Sequence, residues 1–222
     1  MTAPVTTDLP PAEPPATTSA DRRPAGRYGV LVLAAAVVVG LLLGYAGGLL
    51  TPTFTRPGDG SAEAGFARDM TTHHAQAVEM GLIAFRQGTD PEVRQVGGDI
   101  ATGQQGEIGT MQTWLRLWGL DPTGSQPRMA WMPDGAGKVQ DGLMPGMATP
   151  AEMAKLRTAQ GRELDVLFLQ MMIKHHLGGI HMIQGILDAG QDDDVRTVAQ
   201  TMKNTQQTDL TNLQNALKRL GG

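Results

Sequence analysis

The chain has 222 residues, a formal net charge of −4, 13 methionines and no cysteine. Its length allows one ordinary domain with appendages, and the absence of a basic stripe argues against nucleic acid as a partner. The lack of cysteine excludes disulfides, thiolate-bound zinc, iron–sulfur clusters and cysteine nucleophiles.

The first 50 residues predict a tail followed by a membrane anchor. Residues 1–27 are rich in Pro, Thr and Ala without apolar periodicity, which is typical of a disordered cytoplasmic tail. Residues 28–50 carry no charge and are long enough to cross a bilayer as a transmembrane helix. Because Arg22, Arg23 and Arg27 precede this segment, the positive-inside rule predicts a cytoplasmic N-terminus and an extracytoplasmic C-terminal domain.

A cleaved signal peptide is the alternative to an anchor. A small-x-small triplet ending at Ala46 resembles a signal-peptidase site, and cleavage there would release a secreted protein. The apolar segment continues past this triplet to Leu50, which favours an uncleaved, single-pass anchor in the cell membrane. Residues 51–61 contain several prolines and glycines and predict a short linker to a helical domain at 62–222.

The first half of this domain predicts two helices. One opens near Ser61 and runs to about Gln87, where a glycine stops it. The next opens at Asp90, followed by a proline and an acidic residue that suit the first turn of a helix. It should reach Trp118 before Gly119, although several interior glycines weaken this prediction.

The second half predicts an insert and two more helices. Residues 120–149 contain too many prolines and glycines for a long helix. A capping box at Thr149 should start a third helix that runs to Ala189, and a fourth should run from Asp192 to about Leu220. Four helices with one long central connection predict an all-α fold with a four-helix bundle.

An internal repeat relates the two halves of the domain. Shifting the chain by 102 residues without a gap aligns 65–120 with 167–222, with 15 identities in 56 positions. Chance gives roughly 4 identities for such a composition. The pattern indicates two copies of one helical hairpin, which should pack on each other about a pseudo-twofold axis.

All five histidines lie in two similar clusters, at 70–80 and 172–182. Each cluster has a methionine, a His-His pair three residues later and a second methionine, all on the apolar side of the predicted helix. Imidazole and thioether are ligands for transition metals, and together they favour copper, as Cu(I) or Cu(II). The predicted metal ligands are Met70, His73, His74, Met80, Met172, His175, His176 and Met182.

Ordinary packing is the alternative interpretation of these residues. Methionines at helical spacing more often fill a core than bind metal, and a lone buried histidine is more often hydrogen-bonded. The recurrence of both residue types at matched positions nevertheless favours a metal site. His181 lies on the other side of its helix and should mostly face solvent, as an auxiliary ligand at most. Near the clusters, Asp69, Glu79 and Asp165 are the expected sources of carboxylate.

Three segments together resemble the bacterial family called domain of unknown function 305, over roughly residues 62–220. They are M-T-T-H-H-A-Q-A-V-E-M-G, L-M-P-G-M-A-T-P-A-E-M and L-F-L-Q-M-M-I-K-H-H-L-G-G-I-H-M. The resemblance implies a ferritin-like four-helix bundle and, from several members, extracytoplasmic copper binding and copper tolerance. The family motifs add Met144, Met147 and Asp165 to the residues of interest, with the two methionines as auxiliary ligands in a loop that either covers the site or plugs the bundle end.

These observations favour a membrane-tethered protein that binds, sequesters or chaperones copper, with the copper ion and a copper donor or acceptor protein as its partners. A ferritin-like, metal-dependent oxidase is one alternative. Its di-iron centre needs inward Glu-x-x-His pairs, and the sequence contains none, so an enzyme is not expected. A metal-free structural or interaction module is the other alternative.

Overall fold

The structure is a computed structural model in which residues 27–222 are described. The predicted disordered tail at 1–27 lies outside the described residues, apart from Arg27. The described part contains six α-helices, one short 3-10 helix and no β-strand. The predicted all-α fold is therefore confirmed.

Helix α1 spans Arg27–Thr55 and contains the apolar segment of the predicted anchor. Within it, Gly29–Leu49 has a mean hydropathy of 2.5, and length and composition make it the one helix of the described chain that could cross a membrane. The non-helical connection after α1 is shorter than the predicted linker at 51–61. Arg56 precedes Pro57, and a residue before proline disfavours the helical conformation, which accounts for the end of α1.

The first hairpin of the domain has the predicted boundaries. Helix α2 spans Ala62–Gln87, and the hydroxyl of Ser61 accepts a hydrogen bond in its first turn. Helix α3 spans Pro91–Trp118, and the carboxylate of Asp90 accepts two backbone N–H bonds at its start. Gly119 ends α3 with a φ of +72°, a left-handed conformation that glycine adopts without steric strain.

One interior glycine of α3 allows close contact with α2. A Cβ atom on Gly97 would lie 2.8 Å from the carbonyl oxygen of Gly81, and a Cβ on Gly81 would lie 2.5 Å from that of Gly97. The two backbones therefore touch at a point where no side chain fits. The packing gained by this close approach compensates for part of the helix stability that a glycine inside α3 costs.

The predicted third helix, from Thr149 to Ala189, is wrong in that the chain forms two helices there. Helix α4 spans Pro150–Thr158 and helix α5 spans Gly161–Ala189. The backbone is extended at Gln160, and Gly161 has a φ of +60°. Because glycine tolerates this left-handed conformation, the chain turns there and a new helix begins. Gly161 is the only glycine between residues 149 and 177, and a single glycine inside a helical stretch does not by itself predict a break.

The remaining helix starts are as predicted, and the helices form a four-helix bundle. Thr149 and Glu152 make the capping box of α4, and Asp192 caps helix α6, which spans Asp193–Arg219. Helices α2 and α3 form one hairpin, and α5 and α6 form the other. The hairpins meet mainly through α2 and α5, with further contacts between α3 and α6.

A buried carboxylate in each hairpin binds the turn of the other hairpin. Glu63 of α2 accepts hydrogen bonds from the backbone N–H groups of Gln191 and Asp192. Asp165 of α5 accepts the matching bonds, at 3.0 Å each, from the backbone N–H groups at 89 and 90. Burial raises the pKa of Glu63, but its N–H donors outweigh burial and lower the pKa overall. The two acceptors are 102 residues apart, and so are the corresponding donors, so the two sets of bonds are equivalent.

The insert at 120–149 has no long helix, as predicted, and its largest side chains pack into the domain. Trp131 lies edge-on to Phe66, with ring centroids 5.8 Å apart, and its indole N–H donates to Asp69 at 2.8 Å. Burial raises the pKa of the Asp69 carboxyl. The methionines of the insert all lie in the hydrophobic core, at positions Met129, Met132, Met144 and Met147.

Replacing Asp165 with alanine removes the acceptor of two backbone N–H groups between the hairpins. We expect Asp165→Ala to lower the free energy of unfolding by about 2–4 kcal/mol, because each buried donor left unpaired costs about 1–3 kcal/mol. Denaturant unfolding followed by tryptophan fluorescence measures this loss. Asp99→Ala is the control, since Asp99 is exposed on α3 and bonded within its own helix. An equal loss in both variants would contradict the role of Asp165.

An ion pair also joins the end of α6 to the start of α3. Arg219 donates to both carboxylate oxygens of Asp90, at 2.7 and 2.8 Å, and to Glu92 at 3.0 Å. Its hydrogen bonds lower the pKa of Asp90 to about 2. Because this value lies below the ordinary pKa of an aspartate, the pair stabilises the fold above that ordinary pKa, and the stabilisation is lost as pH falls through about 2.

We expect Arg219→Gln to lower the free energy of unfolding only slightly at neutral pH, since Arg219 is half-exposed and water screens the pair. The difference from the parent should disappear near pH 2, where Asp90 becomes protonated. Chemical denaturation at the two pH values measures this. Lys218→Gln removes the same charge from the neighbouring exposed residue and should change little. A difference that persists at low pH would count against the pairing.

Candidate metal centre

Helices α2 and α5 meet at their histidines. The imidazole rings of His73 and His175 have centroids 3.8 Å apart, with an angle of 36° between the ring planes. These two residues are each 1% exposed, and His74 and His176 are fully buried. The histidine pairs of the two hairpins therefore converge inside the bundle, and we call these four residues the histidine layer.

Burial keeps the contacting imidazoles neutral. Burial is the main cause that lowers the pKa of His73 to about 3. Burial likewise lowers the pKa of His175 well below the ordinary value for histidine. At neutral pH both rings thus carry one proton each and keep a nitrogen lone pair, which is the form of imidazole that binds metal ions.

Two carboxylates from the outer helices contact the histidine layer. Glu107 of α3 lies 2.7 Å from Nε2 of His74, and Asp209 of α6 lies 3.4 Å from Nε2 of His176. Both acids are about one-fifth exposed, so they reach the interior from the surface. Carboxylates that hydrogen-bond an imidazole in this way fix its tautomer and ring orientation.

These acids replace the carboxylates that the sequence indicated, which serve other contacts. Asp69 accepts bonds from the backbone of Met129 and the indole of Trp131. Glu79 pairs with Arg157, and Asp165 binds the turn of the opposite hairpin. Sequence reasoning missed Glu107 and Asp209, although one signal was present: both are acidic, and they occupy matched positions in the 102-residue register, each 33 residues after a histidine.

Three nitrogens of the histidine layer have no hydrogen-bond partner among the described residues. They are Nδ1 of His73, Nδ1 of His74 and Nε2 of His175. A buried polar atom without a partner costs free energy, so its retention at three neighbouring rings calls for a ligand. The side-chain oxygens of Gln104 and Gln206, another matched pair, are buried and unpartnered in the same way. These nitrogen atoms therefore fit a metal ion that binds imidazole ligands.

The four methionines of the predicted site lie in pairs. Met70 and Met182 belong to one hydrophobic cluster, while Met80 and Met172 belong to the other. All four are fully buried, and each pair combines one residue from α2 with one from α5. Between residues 27 and 222, no three histidine or carboxylate side chains lie close enough to hold a metal ion by themselves. A site at the histidine layer thus needs thioether sulfur or a rotation of the rings.

The insert covers the histidine layer from one side. The ring N–H at Nε2 of His73 donates to the carbonyl of Pro145 at 3.1 Å, which leaves Nδ1 as the lone-pair nitrogen. The side-chain amide of Gln76 exchanges two hydrogen bonds with the backbone of Ala148, at 2.9 and 2.7 Å. These bonds hold the segment that carries Met144 and Met147 against α2.

Glycines of α5 make room for neighbours other than α2. Gly178 and Gly179 follow the His-His pair of α5 and are both buried. In the structure, the backbone of Pro145 occupies the space at Gly178, where a Cβ would lie 1.9 Å from the carbonyl oxygen. A Cβ on Gly179 would lie 2.5 Å from the side-chain oxygen of Gln206 on α6. The insert and α6, rather than α2, fill the gaps.

His181 lies apart from the histidine layer and is partly buried rather than mostly solvent-facing. Its Nε2 atom accepts a hydrogen bond from the ammonium group of Lys138 at 2.8 Å. Burial lowers the pKa of His181, and the positive charge of Lys138 lowers it further. The residue therefore helps to attach the insert to α5.

Known proteins share this sequence pattern and this fold. The profile of the family described as domain of unknown function DUF305 matches residues 63–217. A DUF305 protein from Streptomyces coelicolor, provisionally described as secreted, has 41% identity and a TM-score of 0.69, over 74% of this chain and 97% of that chain. A DUF305 fragment from Deinococcus radiodurans has 28% identity and a TM-score of 0.59, over 71% and 96%. No curated protein matches the chain.

The copper protein CopM has the same fold. Its Cu(I)-bound form shares 20% identity with a TM-score of 0.56, over 75% of this chain and all of that chain. CopM structures with Cu(II) and with silver are also similar. At this identity the likeness shows the fold alone, whereas the profile match covers most of the domain. The chain belongs to the DUF305 family.

Proposed function

We propose that the domain at 62–222 binds copper between its two hairpins, through the histidine layer and the adjacent methionines. The observation that carries this proposal is the set of three buried imidazole nitrogens without a partner among the described residues, on His73, His74 and His175. Neutral rings with inward lone pairs suit a metal better than a packed core, because a core gains nothing from unsatisfied nitrogens. The role would be copper binding, sequestration or chaperoning.

The donor chemistry favours copper over other metals. Thioether sulfur is a soft ligand that selects Cu(I), and imidazole binds both Cu(I) and Cu(II). The absence of cysteine removes the thiolates that most zinc and iron–sulfur sites use. The occurrence of Cu(I), Cu(II) and silver in the similarly folded CopM agrees with a soft site in this fold.

We further propose that the domain is a duplicated, ferritin-like pair of hairpins. The pairs Glu63 with Asp165 and Glu107 with Asp209 are each 102 residues apart, and each pair makes equivalent contacts in the two hairpins. A symmetric bundle of this kind brings two copies of one half-site together at the axis. Met144, Met147 and His181, as auxiliary ligands, belong to this proposal as well.

The proposed location is the outer side of the cell membrane. Helix α1 is apolar and long enough for a single-pass anchor, and the arginines before the apolar segment favour a cytoplasmic N-terminus. The tail, anchor and linker would then tether the domain outside the cytoplasm. Cleavage of this segment as a signal peptide is the alternative, and it agrees with the provisional description of the Streptomyces coelicolor relative as secreted.

Removing the histidine layer should abolish copper binding. The chain with His73, His74, His175 and His176 all replaced by alanine should lose Cu(I) binding, because the nitrogen donors are gone. Competition against a colorimetric Cu(I) chelator measures the affinity, and circular dichroism checks that the helices remain. Asp99→Ala, at an exposed carboxylate outside the proposed site, serves as the control and should keep its copper.

The same titration distinguishes the alternative functions. The parent should bind Cu(I) and gain thermal stability from it, because a ligand of the native state raises the melting temperature. A parent that binds no Cu(I) and melts unchanged would support the metal-free module. A quadruple variant that binds copper like the parent would place the site elsewhere.

Methionine sulfur should matter more for Cu(I) than for Cu(II). Replacing Met70, Met80, Met172 and Met182 together with leucine keeps the buried volume but removes four thioethers, so Cu(I) affinity should fall at least about 10-fold. The drop for Cu(II) should be smaller. The control replaces the buried methionines of α3 and α6 with leucine, at Met111 and Met202. Equal effects of both sets on Cu(I) would show that packing rather than ligation is responsible.

A further inference from the structure

The two histidine–carboxylate pairs occupy matched positions but differ in their hydrogen bonds. His74 with Glu107 and His176 with Asp209 have the same sequence separation, and the pairs are 102 residues apart. The separation between nitrogen and oxygen is 2.7 Å in the first pair and 3.4 Å in the second. The surroundings of Nδ1, the other ring nitrogen of His74 and His176, differ more. They determine which of the two rings has a lone pair available for a metal ion.

His74 has a single hydrogen-bond partner. Its Nε2 atom lies against the carboxylate of Glu107, while Nδ1 is buried without a partner among the described residues. A neutral imidazole carries one N–H and one lone pair. The carboxylate accepts only, so the proton must lie on Nε2 for this bond to form. The lone pair then lies on Nδ1, inside the bundle.

His176 has an acceptor at each ring nitrogen. Its Nδ1 atom lies 3.1 Å from the carbonyl oxygen of Met172, and its Nε2 atom lies 3.4 Å from Asp209. With an acceptor at each nitrogen, neither the neutral ring nor the doubly protonated ring has a nitrogen open to the interior. In contrast to His74, this ring has no nitrogen left unpartnered in the interior.

We propose that Glu107 and Asp209 are positioning residues that make the two half-sites unequal. Glu107 holds His74 as a ligand through Nδ1, whereas Asp209 and the carbonyl of Met172 hold His176 out of coordination. The rings that keep an unpartnered nitrogen for copper are then His73, His74 and His175. This inference rests on the proposed copper function and specifies the nitrogen atoms that would bind copper. In a perfectly symmetric site, His74 and His176 would have the same role.

The metal-free protein provides the most direct test. Nitrogen-15 labelling of histidine in the full chain, in detergent micelles, gives five imidazoles whose two nitrogens report the position of the proton. The spectrum should show His74 protonated at Nε2 with a bare Nδ1, and it should show a different pattern for His176. His74 protonated at Nδ1, or the same pattern for both residues, would overturn the inference.

Substitution of the carboxylates tests how each ring is held. In Glu107→Ala, His74 should lose its single tautomer, while Glu107→Gln should retain it because the amide oxygen still accepts the Nε2 proton. In Asp209→Ala, His176 should adopt the tautomer with the proton on Nδ1, bonded to the carbonyl of Met172. Unchanged histidine spectra in both alanine variants would overturn the inference.

Copper affinity gives a second readout. Loss of an outer carboxylate typically weakens metal binding about 10- to 100-fold, so Glu107→Ala should weaken Cu(I) binding by that factor. Glu107→Gln should retain most of the parent's affinity. Asp99→Ala removes an exposed carboxylate from the same helix and should leave the affinity unchanged. Equal affinities of Glu107→Ala and the parent would overturn the ligand role of His74.

The inference and the proposed function fail separately. If the parent binds no Cu(I), the proposed function fails, while the spectra of the metal-free protein still decide how the two rings are held. If the parent binds Cu(I) but His74 and His176 have the same tautomer, the proposed function stands and the inequality of the half-sites is refuted.

Discussion

The burial of four imidazoles between two helical hairpins is the constraint on which the rest of the structure depends. Imidazole can be buried as a neutral ring, but each nitrogen then needs a partner. At His73, His74 and His175 one nitrogen has none among the described residues. The other polar contacts of the layer come from the insert, from the outer helices and, at His176, from a carbonyl of α5 itself. The fold thus supplies enough donors and acceptors to orient the rings, and it leaves one nitrogen without a partner on each of these three rings.

The outer parts of the domain can be understood as the means of holding this layer in place. Glu63 and Asp165 tie each hairpin to the turn of the other, so the two histidine helices cannot separate without exposing paired backbone groups. On one side, the insert fixes His73 through Pro145 and packs against Gly178, where no side chain would fit. The four methionines divide between the two hydrophobic clusters, each of which takes one methionine from α2 and one from α5.

Local chemistry made most of the helix boundaries predictable, while contacts between helices were not. Ser61 and Asp90 cap their helices as expected, and the helical period correctly placed the histidines and methionines on buried faces. The break at Gly161 escaped prediction because a single glycine is tolerated inside a helix and no proline accompanies it. The contacts of Glu107 and Asp209 escaped because they depend on how α3 and α6 rotate against their partners, which no local pattern specifies. The internal repeat indicated part of this, because Glu107 and Asp209 are acidic residues at matched positions 102 residues apart.

Copper K-edge X-ray absorption of the full chain, loaded with one equivalent of Cu(I), tests most directly whether this layer is a metal site. Ligation by the histidine layer predicts nitrogen neighbours from imidazole together with at least one sulfur neighbour from methionine, and no thiolate contribution, since the chain has no cysteine. A spectrum with oxygen neighbours alone, or one that the four histidine substitutions leave unchanged, would contradict it.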